Sequence, residues 1–342
     1  MGLFDSLEKK FDELKKDIGF GGSKQPQQGY PGAQQQSYYP PPQGQYPPPP
    51  QQWGPPPPQG QHPGSPPPNP PQPQQQPQSG NPTDYWVPTL HASRAVSEDW
   101  DQKIGNGDNG WGNNELQHYT SSNDNSFYTP NNKLVLRAVS NPSDPNPATR
   151  YTSARLVSRQ RLDRPRGCLT ATINNPSAPG IWPAFWLLPS EPFGWPHEGE
   201  VDVGESWNAD PTNHTCLHWG HFTPQDNDKH RVVDTPIPDL GRRAVKYEFA
   251  WDQDDASGRG RYLWWIDGRP VMKCEIPKGF RRMKEWTVLL NIAMGGNVCQ
   301  GKTPPQGTFE MVVHELRLSG ECDGGWGRFE GSWWQAPEGR RM

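Results

Sequence analysis

From Thr83 to the end of the chain, apolar residues come in short runs cut by Gly, Pro, Asn and Asp. No stretch of useful length repeats them at the three- and four-residue steps of a helix. The runs fall at 133–139, 168–173, 182–188, 200–205, 245–251, 261–266, 286–293 and 308–318. That spacing belongs to many strands with turns between them. Residues 83–342 therefore read as one all-β, two-sheet sandwich of jelly-roll type, with a core large enough to fold alone. Asp267-Gly268, between Tyr262–Trp265 and Pro270–Lys273, is expected to close a hairpin.

One run carries chemistry. Glu200-Val201-Asp202-Val203-Gly204-Glu205 places three carboxylates in six residues. The valines are β-branched and alternate with the acids, as in a strand. In a regular strand Glu200 and Asp202 share one face, and Glu205 falls out of phase. A β-bulge near Gly204 inserts one residue and returns Glu205 to that face. Four effective steps then put the two Glu backbones about 13 Å apart. Inward-leaning side chains close that to roughly 5–6 Å between carboxyls, the separation of a retaining glycosidase. Acidic surface loops and calcium sites also cluster carboxylates. Calcium, however, draws on backbone carbonyls in flexible loops, whereas valine spacers suit a buried strand.

The first 82 residues have a different texture. Phe4, Leu7, Phe11, Leu14 and Ile18 make one stripe of a helix in residues 1–24, with Gly19, Gly21 and Gly22 after it. A helix this short wants a partner surface, so weak docking to a membrane or a protein is expected. The first six residues also fit an N-myristoylation pattern. Residues 25–82 contain no Lys, Arg, Asp or Glu and are dominated by Pro, Gln and Gly. Such a segment cannot offset chain entropy by burial and is expected to be a disordered, polyproline-rich spacer. Its proline runs fit SH3- or WW-type grooves.

The net charge of −4 argues against nucleic acid as the main partner. Cys168, Cys216, Cys274, Cys299 and Cys322 show no CxxC and no metal spacing. An odd count without a secretory apolar run predicts free thiols in a reducing compartment. The expected location is cytoplasmic, with membrane association through residues 1–24, and non-classical secretion is the alternative. His214, His218 and His221 suggest zinc, but on a strand His221 points away from the other two, so no metal site is expected. The sixteen Trp exceed what a core of this size needs. Trp182, Trp195 and Trp207 flank the acidic run and are expected to stack on sugar rings. Asn114, Arg155 and Asn291 offer polar groups for sugar hydroxyls.

Four segments around the acidic run carry a resemblance. They are Trp111-Gly112-Asn113-Asn114-Glu115-Leu116-Gln117, Tyr151-Thr152-Ser153-Ala154-Arg155, Gly180-Ile181-Trp182-Pro183-Ala184-Phe185-Trp186-Leu187-Leu188-Pro189, and Leu217-His218-Trp219-Gly220. With Leu289–Gly296, in this order and spacing, the chain resembles glycoside hydrolase family 16 in its laminarinase/licheninase branch, over nearly all of residues 83–320. The resemblance implies a concanavalin-like β-jelly roll. It also implies retaining endo-hydrolysis of β-1,3- or mixed β-1,3/1,4-glucan, with the polysaccharide along the concave sheet. By that match Glu200 is the nucleophile, Glu205 the acid/base, and Asp202 the residue that orients both. His218 becomes a cleft residue that hydrogen-bonds sugar or the acid/base. No cofactor is required, and a structural calcium on the convex face is compatible. One segment departs: Gly167-Cys168-Leu169-Thr170-Ala171-Thr172 stands where the family has Gly-Arg-x-Glu-Ala-Arg. This predicts altered polar contacts on the non-reducing side of the cleft. The rival function is a non-catalytic β-glucan-binding protein on the same scaffold.

Overall fold

The computed structural model describes residues 83–221, 223–226 and 228–342. The helix expected over 1–24, its myristoylation pattern and the proline-rich segment 25–82 lie outside the described residues.

Alternating strands build two sheets that are almost wholly antiparallel. The inner sheet runs in the order Arg340–Arg341, Arg231–Pro236, Thr212–His218, Glu200–Glu205, Ile181–Pro189, Trp286–Met294, Arg155–Arg161, Trp100–Gln102. The outer sheet has ten strands and centres on Val245–Gln253, Arg166–Asn174 and Gly307–Ser319. Its short strand pair His118–Tyr119 and Tyr151–Ser153 is parallel. The core lies between the sheets. Phe185, Leu187, Val201, Val203, Leu217, Leu290 and Ile292 enter it from the inner sheet, and Leu169, Ala171, Ile173, Tyr247, Phe249 and Trp264 from the outer. Trp100, Trp251, Trp264, Trp265 and Trp286 are fully buried, so a good part of the tryptophan excess is packing. Asp267 and Gly268 both adopt positive φ between the paired residues Ile266 and Arg269. That is the two-residue hairpin turn their sequence predicts. No helix among the described residues is long and apolar enough to cross a membrane.

Three expectations fail here. First, Gly325–Trp333 is a helix on the outer face of the outer sheet. Phe329, with Trp326 and Trp333 beside it, packs there on Cys168, Ala250, Leu263 and Trp265 in a second, smaller core. Glycines at 325, 327 and 331 break up any recognisable stripe in the sequence. Second, Cys168 and Cys322 form a disulfide, while Cys216, Cys274 and Cys299 are free. Strand pairing sets Ser319 beside Cys168, and Cys322 follows three residues later, so the fold makes this pair where sequence spacing cannot. Third, the departing segment 167–172 lies on the outer sheet. Leu169 and Ala171 point into the core and Cys168 points to the outer helix. Its lost charges therefore leave the cleft untouched.

The disulfide closes a loop of 154 residues. Loop-closure entropy for that length amounts to roughly 4–5 kcal/mol. A Cys168→Ala/Cys322→Ala double variant is expected to lose stability of that order, read as a lower denaturant midpoint without reductant. The wild-type chain treated with reductant should fall to the same midpoint.

Candidate active site

The bulge is present. Asp202 pairs with Trp186, but Gly204 pairs with Phe185, so Val203 is the extra residue. Val201 and Val203 are both buried in the core. Gly204 faces the same way: a Cβ there would lie 2.9 Å from Tyr247 Cε1. Two consecutive residues thus turn inward, and Glu205 swings back to the face of Glu200 and Asp202.

A buried amide from the next strand holds this kink. Asn213 Oδ1 accepts the Glu205 N–H at 3.2 Å, and its Nδ2 donates to the Val203 carbonyl at 3.4 Å. Bulges interrupt the ladder, and these two backbone groups would otherwise lose their partners at that point. Nothing in the sequence marked Asn213, because its role exists only once the strand is kinked. Asn213→Leu removes both bonds, each worth about 1–3 kcal/mol when a buried group is left unpaired. Glu205 then loses its aim. The expected result is a kcat roughly 10–100-fold lower with KM nearly unchanged, since misplacing one catalytic group acts on the chemical step.

Strand register sets the cleft face in rows. Arg155, Asn291, Ala184 and Glu205 lie across successive strands in one row. Trp186, Asp202 and Cys216 form the next. Glu200 stands opposite His218. The small Ala184 leaves space between Asn291 and Glu205.

Each of the two glutamates is gripped by an indole. Trp195 Nε1 donates to Glu200 Oε2 at 2.7 Å, and Trp182 Nε1 donates to Glu205 Oε1. Both glutamates are half-buried, whereas Asp202 is buried. Burial pushes Glu200 up to about 7, against the lowering effects of the Trp195 N–H and the Arg155 charge. Burial pushes Glu205 up to about 8, opposed by the Trp182 N–H and reinforced by the charges of Glu200 and Glu115. Asp202 is raised well above the usual carboxylate range by burial and by both glutamates. Glu200 alone of the three has a cation acting on it; Glu205 has two anions. Arg155 thus favours the ionised form of Glu200, the state a nucleophile requires.

Glu115 is a fourth carboxyl whose charge reaches Glu205, and the sequence reading gave it no role. It is buried, receives hydrogen bonds from Gln117 and Asn113, and is pushed up to about 7 by burial. Further along the cleft, the Arg155 guanidinium lies 4.7 Å from the Trp111 ring and 4.8 Å from the Trp186 ring. Trp186 Nε1 donates to Asn291 Oδ1 at 2.7 Å. Trp186 could have been found by its two-residue steps from Ala184 and Trp182. Trp111 could not, because its loop residue adopts a positive φ of 55°.

The remaining predicted residues fall as follows. Trp182 and Trp195 are half-buried at the carboxylates. Trp207 stacks on His214 with ring centroids 3.8 Å apart. Asn114 is exposed, its amide donating to Asn297 Oδ1 at 3.2 Å. His218 Nε2 lies 3.5 Å from Asp202 Oδ2, and its Nδ1 meets His230 Nδ1 at 3.0 Å. Burial and His230 push His218 down to about 3, so its imidazole is neutral. The three histidines of the tempting zinc set go separate ways: His214 bonds Asp234, and His221 lies against the His197 ring.

A two-sheet sandwich with two carboxyls on one face of a bulged strand and indoles beside them defines a sandwich-fold glycosidase. Residues 104–245 match the family model described as "XgeA-like, catalytic GH16 domain". A beta-glucanase of Rhodothermus marinus is 31% identical over 234 residues, covering 65% of this chain and 79% of that protein. The glucan endo-1,3-beta-glucosidase A1 of Niallia circulans is 27% identical over 257 residues, covering 66% of this chain but only 37% of that longer protein. The structure of an endo-beta-1,3-glucanase from Pyrococcus furiosus superposes with a TM-score of 0.57 and 27% identity, covering 69% of this chain and 93% of that one. The chain belongs to glycoside hydrolase family 16.

Proposed function

We propose that the chain is a retaining endo-β-glucanase that cuts β-1,3-linked glucan, with mixed β-1,3/1,4-glucan as a second substrate. The observation that carries this is the bulge: it puts Glu200 and Glu205 on one cleft face, close enough for the charge of Glu200 to raise Glu205. Inverting enzymes hold their carboxyls further apart, to admit a water. Ionised Glu200 attacks the anomeric carbon while Glu205 gives its proton to the departing glycosidic oxygen. A covalent glycosyl-enzyme forms and the sugar leaving group departs. Glu205, now a carboxylate, takes a proton from water, which attacks the same carbon and frees Glu200. Asp202, buried between them and held protonated by its surroundings, shares in their proton exchange, and the two indole N–H groups hold the reacting oxygens in place.

The retention of both glutamates with their indole partners supports catalysis over a binding-only role. The β-1,3 preference leans on the relatives named above. The test is product analysis on laminarin and on barley mixed-linkage glucan, with proton NMR of the first anomer released. A β-anomer appearing first, among oligosaccharides of several lengths, is expected. An α-anomer appearing first would defeat the retaining mechanism. Binding without any release of reducing ends would make the chain a glucan-binding module.

A further inference from the structure

The cleft floor carries a group that glycoside hydrolysis does not use. Cys216 stands directly across the strand pair from Asp202, so their side chains share the cleft face. His218, two residues on, shares it too. Asp202 Oδ2 is buried without a hydrogen-bond partner and faces His218 Nε2. The far nitrogen of that ring is already anchored on His230. One donor atom each from Asp202, Cys216 and His218 falls within 4.8 Å of the others. A carboxylate, a thiol and an imidazole at this spacing are zinc's ligand types. An imidazole whose outer nitrogen is fixed by a hydrogen bond has the support that metal-ligating histidines usually have. Hard cations such as calcium and magnesium prefer oxygen donors alone, and the thiol selects against them.

We propose that Asp202, Cys216 and His218 form a zinc site on the cleft floor, and that zinc bound there is a reversible inhibitor of the enzyme. Binding forms the zinc–sulfur bond as the Cys216 thiol gives its proton to solvent. Water completes the coordination. The ion occupies the floor between the two glutamates and takes Asp202 away from its role beside them. The binding stands without the glucanase reading; only the inhibition rests on it.

Zinc chloride titrated into the chain is followed by calorimetry and by melting temperature, with activity on laminarin measured in parallel. One zinc per chain, a raised melting temperature, and inhibition reversed by a chelator are expected. Cys216→Ser should weaken zinc binding roughly 10- to 100-fold, as loss of a ligand-sphere partner does. Cys274→Ser, which alters a free thiol elsewhere, should change nothing. If Cys216→Ser does not fold, cadmium with the wild-type chain keeps the test decisive. A cadmium–thiolate ultraviolet band should appear, and should fall when a laminari-oligosaccharide fills the cleft. No zinc binding, equal binding by Cys216→Ser, or no cadmium–thiolate band in the wild-type chain would overturn the site, whereas a band indifferent to the oligosaccharide would strike at the glucanase reading. Zinc binding with these signatures but no laminarin hydrolysis in metal-free protein would instead strike at the glucanase reading.

Discussion

Glu200→Ala is expected to lower turnover of laminarin by roughly 10⁴-fold or more, because in the retaining mechanism proposed above Glu200 is the group that forms the covalent intermediate. Azide should restore part of it. The small anion enters the space the carboxylate vacates and attacks the anomeric carbon from that face. Glu205 still protonates the leaving oxygen, so the glycosidic bond breaks and an α-glycosyl azide is released. Capture of that product by mass spectrometry and NMR identifies the displaced nucleophile. A simple structural role for Glu200 would give loss without rescue. Trp195 sharpens the test. Its N–H holds Glu200 Oε2 and favours the anion, so Trp195→Phe should move the acid limb of kcat/KM upward while leaving azide chemistry in the Glu200→Ala background unaffected.

The sequence disclosed the site more fully than the molecule around it, and the reason is locality. Valines alternating with acids, a glycine that lets the strand bulge, and flanking tryptophans all act within a few residues. Arg155 and Asn291 were also legible as polar positions, and the strand register sets both in the row of Glu205. What stayed hidden depends on contacts between distant segments. Cys168 meets Cys322 only because Gly307–Ser319 pairs with Arg166–Asn174. The same pairing explains why the departing segment 167–172 was misplaced: period-2 reasoning finds faces, but not which of two sheets a strand joins. Asn213 and Glu115 illustrate a second blindness. Both act on Glu205, one through its backbone and one through its charge, and neither role can be seen until the bulge exists.

The two sheets also divide the work. The outer sheet, with its disulfide and the packed Gly325–Trp333 helix, is apolar on both faces near Cys168 and Trp265. The inner sheet keeps one face for the core and gives the other to carboxylates, indoles and imidazoles. Buried acids that repel one another destabilise the fold, and that destabilisation is confined to the strand where it sets the proton positions. Removing one acid should therefore trade activity for stability.

Glu205→Gln makes that trade measurable. Hydrolysis of laminarin should fall about 10³-fold, the usual scale for losing a general acid. An aryl glucoside with an acidic leaving group needs no proton, so its first step should survive and show a burst of aryl alcohol before slow release of sugar. The wild-type kcat/KM profile should be a bell, with limbs set by the coupled carboxyls near the values of about 7 and about 8 for Glu200 and Glu205. The variant should lose the basic limb. Stability moves the opposite way, with a sign fixed by linkage. Glu205 is raised from an ordinary 4.5 to about 8 in the fold. Its contribution to stability is complete below the unfolded value and drains away as pH climbs through the folded one. The neutral amide has nothing to lose over that window. Melting temperatures of variant and wild type should lie close together at pH 4 and separate by pH 9. There the variant should be higher by on the order of 5 °C, after allowing for solvent in the open cleft. A gap that stayed constant across the range would mean Glu205 titrates as an ordinary exposed acid, and would remove it as the proton donor.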